Sequence, residues 1–175
     1  DNYKKKDHEI VNKLENLSGK MIDSRKNSFP GEVVSDFLQE NKNYFPKLEE
    51  FGNRIFEKIN VNNRATYMAL CDFLKKEYGV LVKDALPEEG KPFSKIFNKN
   101  NKELLLSDYV ALETKKLYVS SQIAHEGAIK DINEYLSKFS FPSDESKKLT
   151  KVALLNYCGA AILMPYKLFH SECMK

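Results

Sequence analysis

Among the side chains able to hold a metal or move a proton, the most suggestive pair is His125–Glu126, within LYVSSQIAHEGAIKDINEYL at 117–136. A histidine followed by glutamate can open the pattern H-E-x-x-H. There, two imidazoles on one helix face bind zinc and the glutamate is the general base. Residues i and i+4 share such a face, but the position four after His125 is Ile129, so that register fails. With His125 as the second ligand, the frame becomes Ser121-Gln122-Ile123-Ala124-His125. Serine then stands where the first ligand belongs, and glutamine where the base belongs. A zinc hydroxide usually needs three protein ligands and a base, and one imidazole does not supply them. No catalytic residue, no metal site and no cofactor are expected.

The elements that must position this stretch are mostly helical. Residues 1–26 place Ile10, Leu14, Leu17 and Met21 at helical spacing, an amphipathic linker or dimer helix. NSFPGE marks a boundary, with Pro30 suited to a first helical turn. Helices follow through Val33–Leu38, Leu48–Ile59 and Tyr67–Leu74, the last capped by Asn62 or Asn63 and ended by Gly79. GVLV reads as a strand, and FSKIF-NKNN-KELLLS as a hairpin turning at 98–101. Helices then return over roughly 110–138 and 143–164, the second opened by the capping signal S-D-E-S. Leu117, Ser121, Ala124, Ala128, Ile132 and Tyr135 form an inward stripe. The fold class is α+β, mainly helical with a small, mostly antiparallel sheet. The boundaries are 1–28 for the linker helix and 29–175 for the domain.

The last helix, KVALLNYCGAAILMPYKLF, resembles the segment A-N-x-F-A-A-x-L-L-M-P that follows the zinc helix in ImmA/IrrE-type metallopeptidase domains. In those enzymes a glutamate shortly before the Asn is the third zinc ligand. Here Val152-Ala153-Leu154-Leu155 precede Asn156, with no carboxylate. Upstream, PGEVVSDFLQENKNYFPKLEEFGNRIF and FNKNNKELLLSDYVALETKKLYVSSQIA resemble the middle domain of short-chain fatty-acyl transcriptional regulators of the XRE family. The likeness spans about 30–175. It implies a zincin-like helix core that lacks the metal site, in other words a pseudoenzyme. It also implies transcription regulation, with DNA bound through a helix-turn-helix that is not in this sequence. The chain has no initiator methionine and ends in LFHSECMK, which still reads as helix, so it is read as a piece of a longer protein.

The resemblance implies ligand sensing by a homodimer, the ligand being a short-chain acyl-CoA or related acyl metabolite. Candidate ligand-binding residues are Tyr118, Ser121, Gln122, His125 and Asn156, with Lys115 and Lys116 as cations for its phosphates and Lys147, Lys148 and Lys151 nearby. Alternatives stay open at each. His125 also reads as a core-edge imidazole, Ser121 and Asn156 as a helix–helix hydrogen bond, and the lysines as a solvated face. A ligand-free dimerisation scaffold is the alternative function, and a zinc metallopeptidase a third. Tyr44 and Phe45, read as exposed, and the 10–21 helix are candidate dimer contacts.

Composition sets the remaining bounds. A net charge of +3 over 175 residues is too small to mark nucleic acid as the direct partner, and 42% hydrophobic residues suffice for a core. Cys71, Cys158 and Cys173 form no C-x-x-C pair, and with His170 no zinc site; a reducing cytoplasm is expected. The longest apolar run, Val152–Met164, is interrupted by Asn156 and stopped by Pro165, so no membrane partner is expected.

Overall fold

The computed structural model describes residues 29–62, 64–87 and 92–166. The expected 10–21 helix, Cys173 and His170 lie outside them. The described residues fall into two compact units, 29–43 with 139–150, and 44–138 with 151–166.

In the first unit, α1 (Pro30–Glu40) has Pro30 at its first position, and Glu32 Oε2 accepts the Phe29 amide at 3.2 Å. Val33 and Phe37, one turn apart, are its buried residues. Asn41 Nδ2 donates to the Phe37 carbonyl, and Lys42 and Asn43 turn the chain with φ of 55° and 52°. The Phe37 ring meets Phe139 edge-on at 5.3 Å and Phe141 at 6.0 Å. The last helix, α6 (Asp144–Leu163), begins here: Ser143 Oγ accepts the Ser146 amide at 3.1 Å, as the S-D-E-S signal predicts.

The second unit opens with α2 (Pro46–Ile59), which buries Leu48, Phe51, Gly52, Ile55, Phe56 and Ile59 on one side. A small hairpin follows, β1 (Asn60–Val61) with β2 (Arg64–Ala65), and Asn62 sits in its turn with φ 52°. This corrects the expectation that Asn62 or Asn63 caps the next helix. The cap of α3 (Tyr67–Tyr78) is Thr66, whose Oγ1 accepts the Ala69 amide at 3.2 Å. Gly79 ends α3 in the left-handed region, φ 70°.

Three strands form the main sheet: β3 (Leu81–Ala85), β4 (Lys95–Asn98) and β5 (Glu103–Ser107), in the order β3-β5-β4. The expected hairpin is β4 with β5, antiparallel, and its turn is held by Asn98 Oδ1 accepting the Asn100 and Asn101 amides. β3 runs parallel to β5, and the β1–β2 and β4–β5 pairings are antiparallel.

The helix expected over 110–138 is two helices, α4 (Leu112–Gly127) and α5 (Ile129–Ser137), separated at Ala128 with φ −112° and ψ 6°. Beside the break the packing admits only glycine: a Cβ on Gly127 would lie 2.4 Å from Tyr78 Oη and 2.6 Å from Phe51 Cζ. Of the inward stripe, Ser121, Ala124, Ala128 and Ile132 are buried, and Leu117 and Tyr135 half-buried. Val119, Ser120, Gln122 and Ile123 are also buried, so α4 is enclosed on nearly every side over 119–124.

One aromatic is misplaced by the sequence. Phe45 is fully buried, edge-on to Tyr135 at 5.1 Å and Tyr157 at 5.0 Å, whereas Tyr44 is exposed. The apolar N-Y-F-P pair thus splits, one ring in the core and one at the surface.

Candidate functional site

Sheet parity fixes what faces α4. Residues opposite one another in neighbouring strands point to the same face. Lys95 pairs with Leu106 and Phe97 with Leu104, and in β3 Val82 pairs with Leu104 and Asp84 with Leu106. Leu104 and Leu106 are fully buried. Lys95, Phe97 and Asp84 therefore lie on the side of the sheet that carries the core.

Against this face the seven predicted site residues separate into four places. Ser121 lies where α4 meets α6: its Oγ donates to Asn156 Oδ1 at 3.1 Å. Gly159, one turn on, makes the approach possible, since a Cβ there would lie 2.7 Å from Ser121 Oγ and 2.9 Å from Ser121 N. This contact is closed by protein. Gln122 and His125 lie elsewhere on α4 and converge on Glu126: Gln122 Nε2 donates to Glu126 Oε1 at 2.8 Å, and His125 Nδ1 stands 3.1 Å from the same oxygen. The Phe97 ring lies edge-on to the His125 imidazole, 6.4 Å between centroids. Tyr118 is the third place, with the Lys95 ammonium 5.0 Å from its ring centroid.

The lysines predicted to meet phosphate are occupied. Lys115 Nζ lies 2.9 Å from Asp84 Oδ1 and 3.7 Å from Asp108 Oδ1, its side chain only 11% exposed, which ties α4 to the strand ends. Lys116 pairs with Glu113 at 3.0 Å along the same helix. Lys147 lines a cavity of about 320 Å³ with Phe139, Phe141, Pro142, Ser143 and Asp144, to which none of the seven contributes.

Three groups that the sequence left without a role belong to the site: Lys95, Phe97 and Glu126. Lys95 and Phe97 were legible as alternate positions of one strand, but their facing α4 depends on pairing with Leu106 and Leu104. Lys95 is exposed as a residue, yet partial desolvation of its ammonium lowers its pKa from the ordinary value. Burial pushes the Cys158 thiol up to about 12, with the Glu49 and Asp131 charges adding to it.

Chemically, the arrangement has no nucleophile–base pair: Ser121 bonds an amide, and the carboxylate beside His125 is shared with Gln122. Among the described residues no three His, Cys, Asp or Glu side chains are placed to hold a metal ion, and no helix is long and apolar enough to cross a membrane. What remains is a half-buried polar surface between β4 and α4, beside a sealed α4–α6 contact.

The class to which this architecture belongs is a mainly helical α+β domain found in a solved "Mycobacterium tuberculosis transcriptional regulator", with a TM-score of 0.74 at 21% identity over 83% of this chain and 44% of that one. Among curated proteins, the chain is similar to the HTH-type transcriptional regulator PrpR of Mycobacterium tuberculosis (strain ATCC 25618 / H37Rv), 24% identical over 143 residues, 81% of this chain and 29% of PrpR. It is also similar to the HTH-type transcriptional regulator RamB of the same species (strain CDC 1551 / Oshkosh), 21% identical over 143 residues, 82% of this chain and 30% of RamB. The chain thus spans less than a third of either relative. No family model matches it.

Proposed function

We propose that this chain is the sensing and dimerising domain of a helix-turn-helix transcriptional regulator, built on a metallopeptidase-like core that has lost its zinc, and that its effector is a short-chain acyl-CoA or related acyl metabolite. The observation that carries the reading is the fate of the Ser121–His125 frame. Where a zinc enzyme needs ligands and a base, this chain has a Ser121–Asn156 hydrogen bond and a Gln122–Glu126–His125 cluster. That PrpR and RamB are HTH-type transcriptional regulators supports a regulatory role over a catalytic one. A partly apolar, partly polar surface suits a small metabolite. Tyr118, Gln122 and His125 are its lining in this proposal. Ser121 and Asn156 hold the helices behind it, and Lys115 and Lys116 hold α4 in place.

The test is calorimetric titration of the chain with acetyl-, propionyl- and butyryl-CoA. Binding below millimolar is expected, with affinity graded by chain length, because each buried methylene contributes only about 0.8 kcal/mol. Absence of binding for all three would remove the sensing reading. The scaffold reading is favoured by one observation, the Gly159–Ser121 contact that fills the α4–α6 side. Both readings expect a dimer in light scattering, since regulators that read two half-sites need two-fold symmetry.

A further inference from the structure

We propose that Lys95 of β4 and Tyr118 of α4 form a seat for an anionic oxygen group, a carboxylate or a phosphate, of a small molecule that extends along α4 toward His125. The proposal deepens the sensing reading and rests on it. It begins from a mismatch of charge. Lys95 is on the core-facing side of β4, opposite Leu106, and has no carboxylate within ion-pair distance among the described residues. Other lysines of the described residues also lack one, but Lys95 is set apart by its ammonium standing over an aromatic ring of α4 on the core-facing side of the sheet. Its ammonium lies 5.0 Å from the Tyr118 ring centroid, a cation–π contact that orders the group without neutralising it. Partial desolvation lowers its pKa although the residue is exposed, and an anion beside the ammonium would favour the charged form.

Geometry supplies the second station. Tyr118 and His125 are two turns apart on α4, a rise of about 10 Å, and Lys95 and Phe97 are alternate residues of the overlying strand, about 7 Å apart. The two elements meet at both ends, Lys95 on Tyr118 and Phe97 on His125. The Glu126 carboxylate takes Gln122 Nε2 and faces His125 Nδ1. That leaves His125 Nε2 and the Tyr118 hydroxyl with no hydrogen-bond partner among the described residues. The row thus offers an ammonium and a hydroxyl at one end and an imidazole nitrogen at the other, with the Phe97 ring beside it. An elongated molecule with an anionic head matches that order.

The experiment uses the whole 175-residue chain, the Lys95→Met and Lys95→Arg variants and Tyr118→Phe, with propionyl-CoA, propionate and inorganic phosphate as separate probes in calorimetry and amide-shift NMR. Far-UV dichroism confirms folding of each variant. A charge-assisted contact predicts that Lys95→Met weakens propionyl-CoA about tenfold or more while Lys95→Arg keeps most of the affinity. Amide shifts at Lys95, Phe97 and Tyr118 with propionate alone identify the head as carboxylate, and with phosphate alone as phosphate; either result supports the seat. If propionyl-CoA binds all the proteins equally, the seat is overturned and the sensing reading survives. If no probe binds the parent chain, both fall together.

Discussion

The separation of α4 from α6 is set at one residue, and replacing it gives the sharpest test of the packing. Alanine for Gly159 would place a Cβ 2.7 Å from Ser121 Oγ, 2.9 Å from Ser121 N and 3.2 Å from Ser120 Oγ. Two effects oppose. In a helix interior the change contributes about 0.5–1 kcal/mol of stability through backbone entropy. Forcing a methyl into a filled contact costs about 1–3 kcal/mol. Ser121 is 3% exposed and its hydroxyl is held by Asn156, so it has nowhere to turn, and its backbone nitrogen cannot yield alone. The net expectation is a loss of about 1–2 kcal/mol. Gly52 should be worse, about 2 kcal/mol, because its Cβ would meet the Ala161 carbonyl carbon at 2.7 Å and the carbonyl oxygen at 2.9 Å, both backbone atoms. Gly31 is the control: nothing lies within 4 Å of its Cβ, so Gly31→Ala should gain about 0.5 kcal/mol. Urea denaturation followed by far-UV dichroism reads all three, and a loss of 1–2 kcal/mol moves the midpoint by about 0.5–1 M. Ser121→Ala, added to Gly159→Ala, should recover part of the loss. If Gly159→Ala matches or exceeds the parent in stability, the helices are not in contact there, and the α4–α6 side is open.

Three further outcomes follow from the ion pairs and the thiols. Lys115→Met leaves Asp84 and Asp108 facing each other without a cation; because both carboxylates are 43% exposed, the expected cost lies between surface and buried pairs, about 1–2 kcal/mol, read by the same denaturation. Unchanged propionyl-CoA affinity in that variant would assign Lys115 to the frame and not to the ligand. Hydrogen bonds from Lys138 and then Lys47 hold the Glu134 carboxyl down to about 2. Its contribution to stability is therefore present above the ordinary carboxylate range and is lost as pH falls toward 2, and carbon-detected NMR should find that midpoint, shifted upward by Lys138→Ala. Burial raises Cys158 to about 12 and Cys71 to about 11, so at pH 8 neither should react with a thiol reagent faster than the chain opens; rapid labelling of native Cys158 would contradict its burial.

Local features of the chain were legible because their causes are local. Pro30, Gly79 and Ser143 act through φ, left-handed geometry and side-chain capping, none of which depends on distant residues. The failures share a different cause. Asn62 looked like a helix cap because asparagine suits both a cap and a left-handed turn; the pairing of Val61 with Arg64 selects the turn. The break at Ala128 has no proline to announce it, and it lies beside Gly127, where Phe51 and Tyr78 pack too closely for a side chain. Phe45 and Tyr44 are adjacent aromatics, and only the Tyr135 and Tyr157 rings decide which is buried. At the candidate site, Lys115 was drawn toward a ligand because its partners, Asp84 and Asp108, come from separate strand ends.

The same distinction bears on function. The two faces of α4 differ. Toward α6, Ser121 is held by a hydrogen bond to Asn156, and the close approach at Gly159 leaves no open space. Toward β4, Glu126 ties Gln122 and His125 together, while Lys95 brings a charge with no carboxylate partner among the described residues. The sensing and scaffold readings therefore differ in the propionyl-CoA affinity of Lys95→Met: lost binding in a folded variant is the signature of a site kept for recognition. If propionyl-CoA binding stays intact in Lys95→Met, Lys95 serves no recognition, and the sensing surface must be sought away from β4.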